Sequence, residues 1–155
     1  MKTKGIIFED TVNYKKTCMT ISMPYCTFKC GKKYCQNSKL AKAPIVEIVN
    51  EKIISRYITN GFTHALCFQG LEPMDSIGEL LEFIPLFRKY SQDDIVIYTG
   101  YTEQECNDNR WIDKLKIYPN IIIKFGRFIP NQEPHYDEVL GVKLISDNQY
   151  AKKIS

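Results

Sequence analysis

The sequence predicts an α/β fold, a parallel sheet with helices packed on it. Short apolar stretches that read as strands recur at residues 17–23, 63–69, 94–98 and 120–125, and stretches of helical period lie between them. Strands that alternate with helices need crossover connections, and crossovers make the strands parallel. About four to six strands fit in a chain of this length, so any barrel they form is partial and open on one side.

The elements follow in order. Gly5-Ile6-Ile7-Phe8-Glu9-Asp10 reads as a short edge strand, and Thr11-Val12-Asn13-Tyr14 leads into the strand at 17–23. A cysteine-bearing loop and a Lys-rich turn come next. Pro44 then suits the first turn of a helix, whose apolar positions 45, 46, 49, 53, 54, 57 and 58 keep helical spacing. Gly61 stands beyond it as a stop. After the strand at 63–69, Ser76-x-x-Glu79 has the form of a capping box for a helix with Ile77, Leu80, Leu81, Ile84 and Phe87 on one face. Pro85 is expected to kink that helix. The strand at 94–98 ends in Thr99-Gly100-Tyr101, and Thr102-x-x-Glu105 opens a short helix before the strand at 120–125.

Composition bounds the function. The 155 residues suit a single domain, 1–155, with apolar and charged fractions of 44% and 25%, those of an ordinary globular protein. No run approaches the ~18 apolar residues of a membrane span. Met1-Lys2-Thr3-Lys4 lacks the apolar core of a signal peptide. Cysteines without an export signal point to a reducing, cytoplasmic compartment. The net charge of +3 is unevenly placed: residues 1–42 hold nine lysines against Glu9 and Asp10, a balance of +7, which leaves −4 for the rest. A basic end of this kind suits a polyphosphate, a nucleic acid or an acidic partner, or is a solvated lysine face. No basic-aromatic ladder of the single-strand nucleic-acid binders is present, so nucleic acid is not expected.

The chemistry concentrates in Pro24-Tyr25-Cys26-Thr27-Phe28-Lys29-Cys30-Gly31-Lys32-Lys33-Tyr34-Cys35-Gln36-Asn37, which holds half of the six cysteines. Three thiols this close are metal ligands, or one disulfide with a thiol left over. A structural zinc site needs a fourth Cys or His nearby; His64 and His135 are single and distant, and Cys18, Cys67 and Cys106 are scattered. A [4Fe–4S] cube held by three thiolates leaves one iron open, as a cluster that binds a substrate requires. The scattered thiols read as packed residues.

This loop resembles the cluster loop of radical S-adenosylmethionine enzymes, whose usual spacing is C-x3-C-x2-C with an aromatic residue before the last cysteine. Cys26, Cys30 and Cys35 keep the first interval and Tyr34 the aromatic; the second interval is four residues, so Gly31-Lys32-Lys33 would bulge outward. Asn37 completes a C-x-N ending similar to that of activating proteins of anaerobic ribonucleotide reductase. Gly70-Leu71-Glu72-Pro73 resembles the Gly-Gly-Glu-Pro cofactor turn, with Leu71 in place of the second glycine. Tyr98-Thr99-Gly100-Tyr101, Lys124-Phe125-Gly126-Arg127-Phe128 and Ser146-Asp147-Asn148-Gln149 are similar to further segments of the activators, in the same order.

The resemblance implies a small, open, TIM-like partial barrel of the radical S-adenosylmethionine type with outer helices. It implies a [4Fe–4S] cluster on Cys26, Cys30 and Cys35, and S-adenosyl-L-methionine held among Tyr34, Asn37, Gly70, Leu71, Glu72, Pro73, Thr99, Gly100 and Tyr101. One electron from the cluster would break the carbon–sulfur bond to give methionine and a 5′-deoxyadenosyl radical, which takes hydrogen from a glycine of the large reductase subunit. No side-chain acid or base is required. The implied partners are that large subunit and a flavodoxin- or ferredoxin-like reductant, with a homodimer left open. A relative that keeps the cluster without activation, and a zinc-binding interaction module, stand as alternatives.

Overall fold

The computed structural model describes residues 1–155, and its centre is a six-stranded sheet. The chain runs β1 (Lys2–Thr3), β2 (Gly5–Asp10), β3 (Cys18–Met23), α1 (Ser38–Lys42), β4 (Val46–Glu47), α2 (Asn50–Thr59), β5 (Ala65–Gly70), α3 (Ile77–Phe87) and β6 (Asp94–Tyr98). It continues through α4 (Glu103–Asp108), α5 (Trp111–Leu115), β7 (Ile121–Phe125), β8 (His135–Asp137), β9 (Val142–Leu144) and β10 (Tyr150–Lys153). The sheet order is β10-β7-β6-β5-β3-β2. Its four inner strands are parallel, and β2 and β10 close the two edges antiparallel. The sheet is therefore mixed, and its edge strands do not pair with each other.

Alternation along the inner strands separates two cores. Met19, Ile21, Leu66, Phe68, Ile95, Ile97, Ile121 and Ile123 join Ile53, Tyr57, Phe83, Phe87 and Leu115 from the helices. Cys18, Ala65, Cys67, Val96 and Ile122 face the other way, against Tyr14, Leu140 and Leu144. The helical residues thus cover one face of the sheet. The second face meets only loops and the β8–β9 hairpin, which leaves it free to line a cavity where the strands end.

Local expectations fared unevenly. The segment at 45–49 is not helical: Val46–Glu47 pairs with β1, the amino terminus donates to Ile48 O at 2.7 Å, and α2 begins only at Asn50. Pro44 is consequently part of the approach to β4, and long-range pairing overrode the helical period. The capping box at Ser76 does not form either. A 3-10 turn at Pro73–Ser76 runs straight into α3, Ser76 makes no cap hydrogen bond, and Glu79 accepts from Lys2 N at 3.0 Å instead. The box at Thr102 and Glu105 is complete. α3 runs through Pro85 to Phe87. No helix is long and apolar enough to cross a membrane.

Gly78 lies in the first turn of α3, exposed, with nothing near the position a Cβ would take. Gly78→Ala should raise the stability by about 0.5–1 kcal/mol, read as a higher denaturation midpoint. Phe83→Ala, at a fully buried ring stacked on Phe87, should lower it by about 3–5 kcal/mol.

Candidate iron–sulfur site

The carboxyl ends of β3, β5, β6 and β7 open on one cavity of about 600 Å³, within the range of ligand clefts, roughly 300–1,000 Å³. Loops gather at this end of a parallel sheet because every crossover returns the chain to the same side. The cysteine loop follows β3, Gly70-Leu71-Glu72 follows β5, Thr99-Gly100-Tyr101 follows β6, and Gly126-Arg127 follows β7. All four contribute to the cavity wall.

All three loop cysteines line that cavity, and each is a half-buried free thiol. The extra residues between Cys30 and Cys35 do not bulge loosely. Gly31 takes a positive φ of 85°, and Lys32–Tyr34 winds into a 3-10 turn that shortens the path. Backbone bonds from Gly31 N to Phe28 O (2.8 Å) and Tyr34 N to Gly31 O (3.1 Å) hold the turn. Phe28 N donates to Cys26 Sγ at 3.1 Å, a contact that favours the sulfur as thiolate. Against it, burial pushes the Cys26 thiol up to about 11. Burial also raises Cys30, helped by charge on Cys35 and opposed by Arg127. Cationic iron reverses such balances, since it binds the thiolate.

Side chains join the loop to the neighbouring turns. Asn37 Nδ2 donates to Gly70 O at 2.5 Å, and Glu72 N donates to Tyr25 O at 2.9 Å. Gly70 has φ 97°, and a Cβ there would come within 2.8 Å of Ser22 Cα, so the turn requires glycine. Glu72 is buried and points away from solvent. Its Oε1 accepts from Met74 N (3.1 Å) and Thr99 Oγ1 (2.6 Å), and its Oε2 accepts from Gly100 N (2.8 Å). It is therefore a clamp between the β5 and β6 turns. Pro73 opens the 3-10 turn behind Glu72 and does not reach the cavity; Leu71 does. Tyr101 donates to Asp75 at 2.6 Å and carries Lys29 Nζ over its ring at 4.6 Å, while Thr27 N donates to the same carboxylate at 2.6 Å. Sequence reading missed Asp75, since nothing in its spacing marks it.

The C-terminal motifs meet each other. Asn148 Nδ2 donates to Arg127 O at 3.0 Å, Ser146 Oγ to Ile129 O at 3.0 Å, and Gln149 Nε2 to Gly126 O at 3.3 Å. Arg127 is thus held at the cavity edge, paired at 2.8 and 2.9 Å with Glu105, whose carboxyl it holds down to about 2. The Asp10-x-x-Asn13 segment is an anchored turn: Asp10 accepts from Val12 N (2.8 Å), Asn13 Nδ2 (2.6 Å) and Thr20 Oγ1 (2.6 Å). Tyr98 OH donates to Asn13 O at 2.5 Å, which sets one cavity wall. Cys18, Cys67 and Cys106 are fully buried, away from this wall.

The model of a 4Fe-4S single cluster domain matches residues 15–149 of the chain. The chain belongs to that family. A comparison with curated proteins and one with solved structures gave no match. As a 4Fe-4S single cluster domain, the chain is an iron–sulfur protein. Its loop thiols fit such a centre as a donor set. No group of three or more His, Cys, Asp or Glu converges as the ligands of a single ion would, whereas a cube spreads its irons and takes one thiolate at each.

Burial drives the Glu72 carboxyl up to about 6 from 4.5, despite three hydrogen bonds that pull it down. With the folded value above the unfolded one, its contribution to stability is full below pH 4.5 and is lost as pH rises through 6. The loss is about 2 kcal/mol. Glu72→Gln should flatten this part of the pH–stability curve in chemical denaturation; an unchanged slope would place the titration elsewhere.

Proposed function

We propose that the chain is a radical S-adenosylmethionine activase that installs a glycyl radical on an anaerobic ribonucleotide reductase. The observation that carries this reading is the single cavity shared by the Cys26, Cys30 and Cys35 loop, the Gly70-Leu71-Glu72 turn and the Thr99-Gly100-Tyr101 turn. A bound [4Fe–4S] cluster would supply one electron to S-adenosylmethionine, releasing methionine and a radical able to take hydrogen from glycine.

In this reading the three thiols hold the cluster and leave one iron to the cofactor. Asn37 fixes the cysteine loop against Gly70, and Gly70, Leu71 and Glu72 offer backbone polar groups to the methionyl end. Glu72 acts through the Gly100 turn that it ties down. Tyr34 and Tyr101 flank the cavity as aromatic walls, and no proton-transferring side chain is called for. The sheet, covered by helices on one face and open on the other, is read as part of a barrel whose free side admits a macromolecular substrate. Lys29, Lys32 and Lys33 are exposed beside the thiols and supply a positive face for an acidic flavodoxin- or ferredoxin-like reductant.

Anaerobic reconstitution with iron and sulfide, followed by S-adenosylmethionine and dithionite, should give a brown protein that forms 5′-deoxyadenosine. Serine at Cys26, Cys30 or Cys35 should abolish both properties, and serine at Cys106 should leave the iron content unchanged. A brown protein that forms no 5′-deoxyadenosine would reduce the function to electron transfer or partner binding. Reversal of the charges at Lys29, Lys32 and Lys33 should slow reduction by an acidic protein donor, more at low salt than at high, with dithionite reduction unaffected.

A further inference from the structure

Cys26 is held through the peptide groups on both of its sides. Before it, Tyr25 O accepts from Glu72 N at 2.9 Å, and after it, Thr27 N donates to Asp75 Oδ2 at 2.6 Å. Both partners lie just after β5. Phe28 comes next, at a positive φ of 53°, which a residue with a side chain rarely adopts. In that twist Phe28 N points to Cys26 Sγ, at 3.1 Å. A backbone in so sparse a region persists only where its surroundings hold it, and the bond to Asp75 anchors the residue before the twist. The sulfur receives Phe28 N alone, since Thr27 N is committed to the carboxylate.

Asp75 is itself fixed. Its Oδ1 accepts from Tyr101 OH at 2.6 Å, and the Tyr101 ring packs edge-on against Trp111 with centroids 5.0 Å apart. The carboxylate thus ties the cysteine loop to the turn after β6 as well as to its own. It enters no ion pair. Lys29 lies over the Tyr101 ring instead, and Arg127 is taken by Glu105. Asp75 is outside the residues that line the cavity, so it is no part of a ligand pocket. What it carries is an unneutralised charge on the peptide group that joins Cys26 to Thr27.

We propose that Asp75 is a positioning residue for the Cys26 ligand and that it holds the potential of the bound cluster low. Hydrogen bonds to the sulfurs and the net charge around a cluster both set its potential, and partners outside the ligand shell orient the ligands. Reduction adds an electron, so an unneutralised carboxylate beside a ligand opposes it. An amide kept off the sulfur withholds a bond that would favour the added charge. Both effects run in one direction, toward a stronger reductant. The inference rests on the assignment of the cluster to Cys26, Cys30 and Cys35, and is independent of what the reduced cluster acts on.

The test is a redox titration of the cluster-loaded chain and its variants, followed by electron paramagnetic resonance. Asp75→Asn keeps an acceptor for Thr27 N and a donor for the Tyr101 oxygen while it removes the charge. Its reduction equilibrium should shift about tenfold or more toward the reduced cluster, ~59 mV for one electron. Asp75→Ala should shift it further. In the metal-free chain, Asp75→Ala should also strip Thr27 N of its protection from hydrogen exchange, which Asp75→Asn should preserve. Glu82→Gln, at an exposed acid of α3, should leave the potential unchanged. The exchange measurement serves if a variant takes up no cluster. An Asp75→Asn potential equal to that of the parent chain, or unchanged Thr27 exchange in Asp75→Ala, would overturn the proposal. A Cys26→Ser chain that keeps its full cluster would overturn it through the ligand assignment. A raised Asp75→Asn potential in a protein that forms no 5′-deoxyadenosine would instead remove the activase reading and leave the role of Asp75.

Discussion

The buried carboxylate of Glu72 is the constraint on which the rest of the site depends. It leaves water and receives three hydrogen bonds in return, from Met74 N, Thr99 Oγ1 and Gly100 N. An ionised group in that position is tolerable only while all its partners stay in place. Each partner belongs to a turn that lines the cavity or supports its wall, so the turns after β5 and β6 are locked as a pair. The cysteine loop is fastened to the same unit through Asn37 and through Glu72 N. Displacement of any one turn strands the acid, and the geometry is cooperative for that reason.

Much of the sheet was legible because its signals are local. The inner strands are mostly apolar, as strands covered on both faces tend to be, and β6 has the boundaries that its residues suggest. The convergence of Cys26, Gly70 and Thr99 also followed from topology, since parallel strands put their loops at one end. What stayed hidden depends on contacts distant in sequence. Ile45, Val46 and Val49 fit a helical period, yet the partner for Val46 is Thr3, near the amino terminus. Ser76 and Glu79 make a correct capping pattern, but Glu79 is drawn to the backbone of Lys2.

The site shows the same division. The cysteines, the glycine turn and the Tyr-Thr-Gly-Tyr segment are marked by residue type and spacing. Asp75 and the convergence of Lys124 and Gln149 on Gly126 O are not, because each matters only through a neighbour that folding brings to it. Even the Ser-x-Asn-Gln segment, visible as a pattern, discloses its work only in three dimensions: it pins residues 126–129 and so places Arg127.

The 3-10 turn at Lys32–Tyr34 bears on how such loops diversify. By coiling the surplus backbone into one tight revolution, the chain separates the count of residues between thiols from the span those thiols must bridge. Gly31, at a positive φ of 85°, starts that revolution, and Cys35 follows directly on it. The interval between Cys30 and Cys35 is thus set by a coil bracketed by a glycine and an aromatic residue, Gly31 and Tyr34, rather than by an extended run.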